Sequence, residues 1–549
     1  MRVLGITPAH DSSVAIINDG QLEYFCKEER LSRIKRDSEP HTVLSYILKH
    51  IKDSIDIVVI SSVTHFNPWN NFLEEELKKN FKCKIVRMCH QHHLAHASMT
   101  FNNSGFDSAL VCVIDRMGSD VNRWMREAES IFKVDKEHNF KPIYKSFWLY
   151  RMGEEFDEGN YKEALSIKQT FPECEVVANS TLGITKVYET ATVMIGEDSL
   201  ENGKTMGLSA YGTDQPFKNL FTGEVPNTHL FAHIFEDHLR PLLKDHFSCK
   251  LKPKTIVPEK GYEPYADYAY QVQKQTQEAV LSLVKRKIKE TGIKNVCVTG
   301  GYALNVVTNA FLMKHLPEIN FFFEPLADDS GISIGAALYV YRQETQDKKS
   351  YPLKHTFFNH VKPSIPITGI EVSAKQIARL LADQKIVAMF NGQAEAGPRA
   401  LGHRSILFDA RNPDAKQIIN KVKQREWYRP FAASVLKHQA KVYFEMGAIS
   451  ESPFMTLSIP VKPNRQKLVP GIVHVDGSCR LQTVDTDIPH FHELLSEFET
   501  ITGTPLLLNT SFNITGEPLV NSMKEALDTF KKTPMDVLWF PEKRRMLIK

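Results

Sequence analysis

Cysteine is scarce in this sequence, and none of the cysteines is spaced for metal binding. The 549 residues contain eight cysteines, at positions 26, 83, 89, 112, 174, 249, 297 and 479, with no CxxC pair. Scattered single cysteines in a chain of this size are typical of reduced thiols. The sequence therefore argues against a structural zinc ribbon and favours a cytoplasmic protein.

Long apolar runs and a large net charge are also missing. No apolar run reaches the roughly 20 residues that a membrane-spanning helix needs, and residues 1–17 lack the charged-then-apolar order of a signal peptide. Lys and Arg total 68 against 65 Asp and Glu, a net charge of +3. We therefore expect neither a membrane nor a nucleic acid as partner.

The length and composition are those of a globular protein with more than one domain. A hydrophobic fraction of 42% and a charged fraction of 24% are ordinary, and 549 residues favour two or three domains. Residues 346–371 have little periodicity and contain prolines, which predicts a linker between a domain at 1–345 and a domain at 372–549. The sequence contains no internal repeat.

Strand-like and helix-like patterns alternate along the chain. Residues 3–29 read as strands around an Asn18-Asp19-Gly20 turn, and residues 265–291 read as a helix. Further strand-like apolar runs occur at 55–61, 83–88, 109–115, 295–300 and 319–325. The alternation predicts an α/β fold.

Three small-residue turns in the first domain have the character of phosphate-binding turns. They contain His10-Asp11-Ser12-Ser13, Gly300-Gly301 and Asp329-Ser330-Gly331. The last two follow strands and open helices, where free N–H groups and the helix dipole attract anions. Walker-type and GxGxxG patterns are absent at these turns. Together they predict a nucleotide-binding fold of the actin, sugar-kinase and chaperone type, although any one polar turn is weak support.

The segment HQHHLAHA (90–97) holds four histidines. His92 and His96 are four residues apart and would share one face of a helix. With Asp115 and Asp329, each expected at a strand end, they form a ligand set suited to Fe, Zn or Mn. The alternative is a surface helix whose histidines are merely solvated.

The C-terminal domain carries cations embedded in apolar and Gly-rich sequence. Embedded arginines need anions, and guanidinium groups fit phosphate and carbamoyl oxygens. We therefore expect a site for phosphorylated small molecules; the alternatives are Arg–carboxylate pairs with Glu395, Asp409 or Glu426 and, less favoured, nucleic acid. The cations are Arg399, Arg404, Lys423, Arg425, Arg429 and Arg480, and the neighbouring neutral donors are Ser405, Asn509, Ser511 and Asn513.

These motifs, taken together, resemble the O-carbamoyltransferases of the NodU and cephalosporin-carbamoyltransferase family over nearly the whole chain. The matching segments are HDSS (10–13), EERLSRIK (28–35), HHLAHA (92–97), Asp115, GKTMGLSAYG (203–212), GGYALN (300–305), DSGISIGAA (329–337), GPRALGHRSI (397–406), KVKQRE (421–426), HVDGSCRLQT (474–483) and NTSFN (509–513). Many independent motifs in one order make the resemblance specific.

The resemblance implies a two-lobed actin-like (ASKHA) domain followed by a YrdC-like α/β domain. The second domain would make carbamoyladenylate from carbamoyl phosphate and ATP, and the first would transfer the carbamoyl group to a hydroxyl of a small natural product. It implies His10 as general base and His92, His96, Asp115 and Asp329 as metal ligands. Implied nucleotide-binding residues of the first domain are Asp11, Ser12, Lys204, Gly207, Gly300, Gly301, Asn305 and Gly331. Those for carbamoyl phosphate and ATP in the second are Arg399, Arg404, Lys423, Arg425, Arg480, Asn509, Ser511 and Asn513.

The resemblance also sets the expected partners. They are ATP with Mg²⁺, carbamoyl phosphate, a hydroxylated acceptor and a divalent metal, with Fe²⁺ favoured over Zn²⁺ or Mn²⁺; a homodimer is one expectation. The family usually has glycine after the strand-end aspartate, whereas this chain has Arg116. Residues 120–175 align poorly and are a candidate for acceptor selection, with surface decoration as the alternative.

Three other functions remain open at this point. An actin-fold kinase or ATPase would turn over ATP without carbamoyl phosphate and leaves the C-terminal arginines unexplained. A threonylcarbamoyl-type tRNA-modifying enzyme should have a basic RNA-binding surface, which a net charge of +3 does not favour. A binding module without catalysis has no need of metal ligands and a base together.

Overall fold

The chain forms two compact units in a computed structural model that describes residues 1–51, 53–63, 67–122, 125–149, 162, 166–179, 183–217, 219–227, 259–359 and 369–549. The first unit consists of Met1–Tyr24 and Asp37–Leu353, and the second of Phe25–Arg36 and Lys354–Lys549. The early segment of the second unit contains helix α1 (Glu28–Ser32). The sequence had assigned this segment to the first domain, because nothing in its pattern differs from its neighbours.

Two sheets form the framework of the first unit. Their strands are β1 (Arg2–Thr7), β2 (Ser13–Asn18), β3 (Gln21–Lys27), β4 (Ile57–Ser62), β5 (Lys84–Cys89), β6 (Ala109–Ile114), β7 (Met125–Val134), β8 (Phe140–Leu149), β9 (Glu175–Asn179), β12 (Asn295–Thr299) and β13 (Asn320–Phe323), and a separate pair is β10 (Phe221–Thr222) with β11 (Val225–Pro226). The five-stranded sheet has the order β3-β2-β1-β4-β5, and the six-stranded sheet has the order β13-β12-β6-β7-β8-β9. Strands β4 and β6 are buried along their whole length, as their continuous apolar sequences predict for strands covered on both faces.

The two sheets repeat one arrangement. In each, a central strand (β1 or β6) pairs antiparallel with the strand that follows it and parallel with a later strand. A second parallel strand, β5 or β13, lies beyond. The sequence contains no repeat because the shared property is topology and burial, which many different residues satisfy.

The helices of the first unit lie between these strands. They are α2 (His41–His50), α3 (Trp69–Asn80), α4 (His92–Ser104), α5 (Ile167–Thr170), α6 (Ile184–Met194), α7 (Asn202–Ser209), α8 (Glu263–Thr291), α9 (Val306–His315) and α10 (Ile332–Thr345). Helices α4 and α10 pack closely because Gly335 has no side chain: a Cβ there would lie 1.9 Å from the carbonyl oxygen of Ala95. This close packing places α4, which carries the histidines, against α10, which follows Asp329.

The second unit is built on a mixed nine-stranded sheet. Its strands are β15 (Ile370–Glu371), β16 (Val387–Phe390), β18 (Arg404–Phe408), β19 (Ala432–Leu436), β20 (Ser458–Pro460), β21 (Ser478–Val484), β22 (Leu506–Ser511), β23 (Val537–Phe540) and β24 (Arg545–Ile548), with a separate pair formed by β14 (Phe357–Asn359) and β17 (Ala394–Glu395). The sheet order is β15-β24-β23-β16-β18-β22-β19-β21-β20. The predicted linker therefore contains a strand, β14, of this unit, and its residues 360–368 lie outside the described ranges.

Helices cover this sheet with an apolar core between. They are α11 (Ala374–Ala382), α12 (Ala415–Lys423), α13 (Ala440–Tyr443), α14 (Pro463–Gln466), α15 (Pro489–Thr502) and α16 (Met523–Lys532). Helix α11 begins at a capping box, in which Ser373 accepts a hydrogen bond from the backbone N–H of Gln376. Its Ile377 and Leu381, one turn apart, are buried in the same cluster as Phe491 of α15. The mixed α/β fold predicted from the sequence is confirmed.

Membrane-spanning character is absent from the part of the chain that the structure describes. No helix there is both long enough and apolar enough to cross a bilayer. The longest, α8, carries charged residues along its length.

Candidate metal centre and cation cluster

Four predicted metal ligands meet at one point in the first unit. His92 and His96 lie on the first turns of α4, and Asp115 follows the last residue of β6. Asp329 lies in a 3₁₀ turn before α10, not at a strand end as the sequence had indicated. One ligand atom from each of the four residues lies within 4.8 Å of all the others. Secondary structure from three separate parts of the chain therefore builds one buried centre.

The contacts within this centre fit a bound cation. Nε2 of His92 lies 3.2 Å from Oδ2 of Asp115 and 3.6 Å from Oδ1 of Asp329. Nε2 of His96 lies 3.7 Å from the same Asp329 oxygen. Both ring nitrogens of His96 are buried and have no hydrogen-bond partner among the described residues. Buried imidazole nitrogens without partners beside two carboxylates are the arrangement that a divalent ion satisfies.

The electrostatics of the centre lead to the same conclusion. Burial opposes protonation of His92, but Asp329 and Asp115 outweigh burial and raise the pKa of His92 to about 10. Burial would also raise the pKa of both aspartates, yet the adjacent histidines hold it below its ordinary value. The buried Asp115 and the partly buried Asp329 are thus stabilised by positive charge between them. A metal ion in that position would replace the proton on His92.

A layer of polar side chains supports the centre. His93 is fully buried; its Nδ1 lies 2.8 Å from Oγ of Ser130, and its Nε2 lies 4.0 Å from Asp115. Lys145 donates to Glu127, which accepts a hydrogen bond from the backbone N–H of Ser119. Burial lowers the pKa of His93 to about 4, so this imidazole is neutral at physiological pH. No sequence pattern assigns a role to His93, because a side chain that orients a neighbouring ligand has no spacing signature of its own.

His10 lies in the turn between β1 and β2. Its Nδ1 is 2.8 Å from Oδ2 of Asp11, and its Nε2 is buried without a hydrogen-bond partner among the described residues. Burial lowers the pKa of His10, but the carboxylates of Asp11 and Asp329 outweigh burial and raise it. Ser13, in the same turn, donates to the carbonyl oxygen of Ser330 at 2.7 Å. The HDSS turn is therefore fixed against the turn that carries Asp329.

The predicted nucleotide-binding residues divide into two groups. Gly300 has a φ of 83°, and a Cβ there would lie 2.5 Å from the carbonyl oxygen of Ile114, so the turn requires glycine. The N–H of Gly301 donates to Oδ1 of Asp115 at 3.0 Å. These two glycines lie at the candidate metal centre. Asp11 and Gly331 lie there as well, because Asp11 follows His10 and Gly331 lies two positions after Asp329. Ser12 donates to the carbonyl oxygen of Thr7.

The remaining three predicted nucleotide-binding residues are Lys204, Asn305 and Gly207. Lys204 forms an ion pair with Glu197 at 2.7 Å. Asn305 caps α9 by accepting from the N–H of Thr308, and it also donates to Gln273. Gly207 is buried within α7. For Lys204 and Asn305 the described contacts are structural, and nucleotide binding stays a prediction.

A second ion-pair group next to the centre was not predicted as a site. Arg116 donates from Nε and Nη2 to the two carboxylate oxygens of Glu189, at 2.8 and 3.1 Å. Lys186 lies 2.9 Å from the same carboxylate. Both Lys186 and Glu189 are buried. The sequence signal was Arg116 itself, an unexpected cation directly after a predicted metal ligand, Asp115.

In the second unit, the predicted cations gather with few carboxylates between them. Burial and the positive charges of Arg399, Arg429 and Arg425 hold the pKa of Arg480 well below its usual value. The Nε of Arg480 is buried without a hydrogen-bond partner among the described residues. Burial, Arg425, Arg429 and Lys35 likewise hold the pKa of Lys423 well below its usual value. A bound anion would offset the mutual repulsion within such a cluster.

Two of the three alternative carboxylate partners have described contacts elsewhere. Glu395 accepts from the backbone N–H groups of Leu401, His403 and Arg404, and Asp409 pairs with Arg411. Glu426 alone of the three contacts the cluster, through Arg429 at 3.6 Å.

The neutral donors differ in their surroundings. Ser511 and Asn513 both accept hydrogen bonds from Lys423, at 3.0 and 2.7 Å. Asn509 donates to the carbonyl oxygen of Ala400 and to Ser434, and Ser405 accepts from the N–H of Gly402. Ser511 and Asn513 therefore border the cation cluster, whereas Asn509 and Ser405 connect neighbouring segments of the sheet.

Arg404 is different from the other predicted cations. It donates to the carbonyl oxygens of Asn391, Gly392 and Asn521, and its guanidinium lies 3.6 Å from the ring centroid of Phe390. Arg425 has both kinds of surroundings. It donates to Asn420, and burial together with the positive charge of Arg429 holds its pKa well below its usual value. Arg404 therefore joins backbone segments of the second unit, and the described contacts give it a structural role.

Comparison with known proteins gives the family. The carbamoyltransferase N-terminus family profile matches residues 69–338, and the carbamoyltransferase C-terminus profile matches residues 378–545. Nodulation protein NolNO of Sinorhizobium fredii is 29% identical over 96% of this chain and 78% of its own length. Nodulation protein U of Rhizobium tropici is 36% identical over 43% of this chain and 41% of its own length. An uncharacterized protein of Synechocystis is 28% identical over 98% of this chain and 95% of its own.

Structural likeness to known proteins is weaker than the sequence match. The crystal structure of full-length HypF in its phosphate- and nucleotide-bound form is 13% identical, with a TM-score of 0.37, over 63% of this chain and 56% of its own. A likeness at this level supports no argument. The two family profiles follow each other along the chain, and each contains a cluster described above. The chain belongs to the NodU-like carbamoyltransferase family and is a carbamoyltransferase.

Proposed function

We propose that this carbamoyltransferase uses ATP and divides its reaction between the two units. The second unit would convert carbamoyl phosphate, ATP and water to carbamoyladenylate, inorganic phosphate and pyrophosphate. The first would transfer the carbamoyl group to a hydroxyl of a small natural product, with AMP as leaving group. The observation that carries the proposal is the buried set of His92, His96, Asp115 and Asp329, with His10 beside it.

His10 is the proposed general base for the transfer step. Its Nδ1 faces the carboxylate of Asp11, which favours the tautomer with the proton on Nδ1 and a lone pair on Nε2. Nε2 is the buried nitrogen without a partner among the described residues. The acceptor oxygen would attack the carbamoyl carbon, its proton would pass to Nε2, and the bond to the AMP oxygen would break.

The metal quartet is proposed to bind a divalent ion, with Fe²⁺ favoured and Zn²⁺ or Mn²⁺ as alternatives. Such an ion, when bound, would polarise the carbamoyl carbonyl and hold the adjoining phosphate. His93 and Glu127 would keep the ligands oriented through Ser130 and Ser119. The N–H of Gly301, which donates to Asp115, would fix that carboxylate.

The cation cluster of the second unit is proposed as the site for carbamoyl phosphate and Mg²⁺–ATP. The positive charges of Arg399, Arg425 and Arg429 act on Arg480, and those of Arg425 and Arg429 act on Lys423. Phosphate oxygens would satisfy the buried Nε of Arg480 and compensate the charges that these residues impose on one another. Ser511 and Asn513, which hold Lys423, would add neutral hydrogen-bonding groups.

The actin-like assignment of the first unit is part of the proposal. It is supported by the repeated strand arrangement of the two sheets and by glycine turns at the ends of β12 and before α10. A YrdC-like second unit is consistent with its mixed nine-stranded sheet. A cytoplasmic location and a homodimer remain expectations.

The function is tested by following products in the purified full-length protein. Mass spectrometry with ATP, carbamoyl phosphate and a panel of hydroxylated compounds should detect AMP, pyrophosphate and a carbamoylated acceptor. His10→Ala should stop acceptor carbamoylation but leave carbamoyladenylate formation, whereas Arg399→Ala should stop both at the first step. Loss of adenylate formation in the His10 variant would contradict the division of labour. ATP turnover that does not require carbamoyl phosphate would favour a kinase or ATPase instead.

A further inference from the structure

A short turn in the second unit, residues 400–403, belongs to no helix or strand, although most of it is buried. It lies between β17 and β18, and Ala400, Leu401 and Gly402 are all buried. Buried backbone N–H and C=O groups need hydrogen-bond partners. In this turn, side chains from several different elements supply them.

The N–H groups of the turn are held mainly by one carboxylate. Glu395 is fully buried. Its Oε1 accepts hydrogen bonds from three backbone N–H groups, at 2.7, 3.0 and 3.2 Å, those of Leu401, His403 and Arg404. Oγ of Ser405 accepts from the N–H of Gly402 at 3.1 Å. An ionised acceptor forms stronger hydrogen bonds than a neutral one, so Glu395 is the principal anchor of the turn.

The carbonyl groups of the turn are held by three further side chains. These come from β21, β22 and α15 and donate at 2.9, 3.2 and 2.8 Å, from Gln482 to Leu401, from Asn509 to Ala400 and from His490 to Gly402. Both kinds of backbone group in the turn therefore have fixed partners, which restricts the backbone to one conformation.

Arg399, which directly precedes this turn, belongs to the cation cluster. Its positive charge acts on Arg480. Gln482, which donates to Leu401 in the turn, lies two residues after Arg480 on β21, so both side chains leave the same face of that strand. The turn is therefore attached to the strand that carries Arg480, and on the face to which Arg480 belongs.

We infer that Glu395 is a positioning residue for adenylate formation, which fixes the 400–403 turn and so holds the guanidinium of Arg399 in place for the phosphate groups of carbamoyl phosphate and ATP. The inference rests on the proposed function, because that function assigns Arg399 to the anion site. A guanidinium on a fixed backbone loses less conformational entropy when its ligand binds. Misplacement of a binding group by about 1 Å can lower a rate about 100-fold.

The test measures the release of pyrophosphate from ATP, in the presence of carbamoyl phosphate, by the full-length protein. Glu395→Gln removes the negative charge and keeps the size of the side chain. The matched control is Asp409→Asn, because Asp409 is also fully buried in the second unit and accepts the backbone N–H of Arg411 at 2.9 Å. The Tm of each variant is measured separately, so that lost stability is not mistaken for lost positioning.

Glu395→Gln should lower kcat/KM for carbamoyl phosphate by about 10–100-fold, whereas Asp409→Asn should keep the wild-type value even where its Tm falls as far. The same comparison is then made in an Arg399→Lys background, which keeps the positive charge but lacks the planar guanidinium. There, Glu395→Gln should lower kcat/KM by no more than about twofold, which is within the error of double-mutant comparisons. Wild-type kcat/KM in Glu395→Gln, or an equal loss in both backgrounds, would overturn the inference.

A second variant covers the case in which Glu395→Gln does not fold. His490→Phe removes the hydrogen bond to the carbonyl oxygen of Gly402. It should also lower kcat/KM, and its effect should disappear in the Arg399→Lys background; wild-type kcat/KM in His490→Phe would then overturn the inference. Failure of the proposed function is distinguishable, because it would appear as absence of pyrophosphate release by the wild type itself.

Discussion

Replacement of Gly335 by alanine should separate the two helices that assemble the metal centre. Gly335 lies on α10 and faces α4, and a Cβ there would lie 1.9 Å from the carbonyl oxygen of Ala95. Ordinary contacts of this kind begin at 3.4 Å, so the helices must move apart by about 1.5 Å (3.4 − 1.9). The clash is with backbone, and no side-chain rotation relieves it.

The magnitude follows from packing and from metal geometry. Overpacking of this kind costs about 1–3 kcal/mol of unfolding free energy. Helix α4 carries His92 and His96, while Asp329 directly precedes α10. Metal–ligand distances are held within about 0.2 Å in well-formed sites, and loss of ligand support typically lowers metal affinity about 10–100-fold. We expect a fall in affinity of that size, together with the loss of stability.

The assay is metal titration and denaturant unfolding of Gly335→Ala beside Gly203→Ala. Gly203 is a matched control because it also lies in a helix, α7, and a Cβ there would meet nothing within 4 Å. Alanine at that position should stabilise the helix by about 0.5–1 kcal/mol. Wild-type metal affinity in Gly335→Ala, with stability equal to the control, would show that the close approach of α4 and α10 does not hold the centre.

Three further predictions concern the support of the centre, the early segment of the second unit and a buried acid. His93→Ala should lower metal affinity by about tenfold. His93→Asn, which keeps a hydrogen bond to Ser130, should restore part of that affinity. Equal affinity in the wild type and both variants would show that His93 does not support the centre. Arg33→Ala removes two hydrogen bonds of a charged donor to backbone carbonyls and should lower the unfolding free energy of the second unit by about 1–3 kcal/mol. Lys385→Ala, which loses an exposed ion pair, should cost less than about 1 kcal/mol, and equal losses would contradict the role of Arg33. Burial raises the pKa of Glu324 from 4.5 to about 7. Between these pH values the folded chain keeps a proton that the unfolded chain releases. The free energy of unfolding should therefore fall by about 3 kcal/mol as the pH rises from 4.5 to 7. Glu324→Gln should remove that part of the fall, and identical pH profiles in denaturant unfolding would refute the assignment.

Much of the first unit was predictable because its strands have a plain apolar signature. The runs at 55–61, 109–115 and 295–300 became strands within two residues of the predicted bounds. The i, i+4 spacing of His92 and His96 predicted a shared helix face, and α4 begins at His92. These predictions succeed because they depend on local periodicity. A few consecutive residues show whether one face or both faces of a strand or helix are buried.

Other features depend on contacts between residues far apart in the chain. The segment Phe25–Arg36 belongs to the second unit through partners such as Gly397, whose carbonyl oxygen accepts from the buried Arg30. Glu189 binds Arg116 across 73 positions. Arg404 and Arg480 look alike in sequence, yet one is surrounded by carbonyl oxygens and the other by cations. No local pattern distinguishes such cases, and ligand binding by Arg404 stays a prediction.

Predictions for residues that the structure does not describe remain untested. Acceptor selection by residues 120–175 is one of them, since most of 150–165 is not described. The described part includes the hairpin of β7 and β8, in which Lys145 forms an ion pair with Glu127.

The central claim is that adenylate formation and carbamoyl transfer are separate steps served by separate clusters. It is tested most directly by ³¹P NMR and mass spectrometry of ATP, carbamoyl phosphate and acceptor with His96→Ala and Arg480→Ala. We expect His96→Ala to produce pyrophosphate and carbamoyladenylate but no carbamoylated acceptor, and Arg480→Ala to produce none of the three. Carbamoylated acceptor from Arg480→Ala at the wild-type rate, or loss of pyrophosphate formation in His96→Ala, would contradict it.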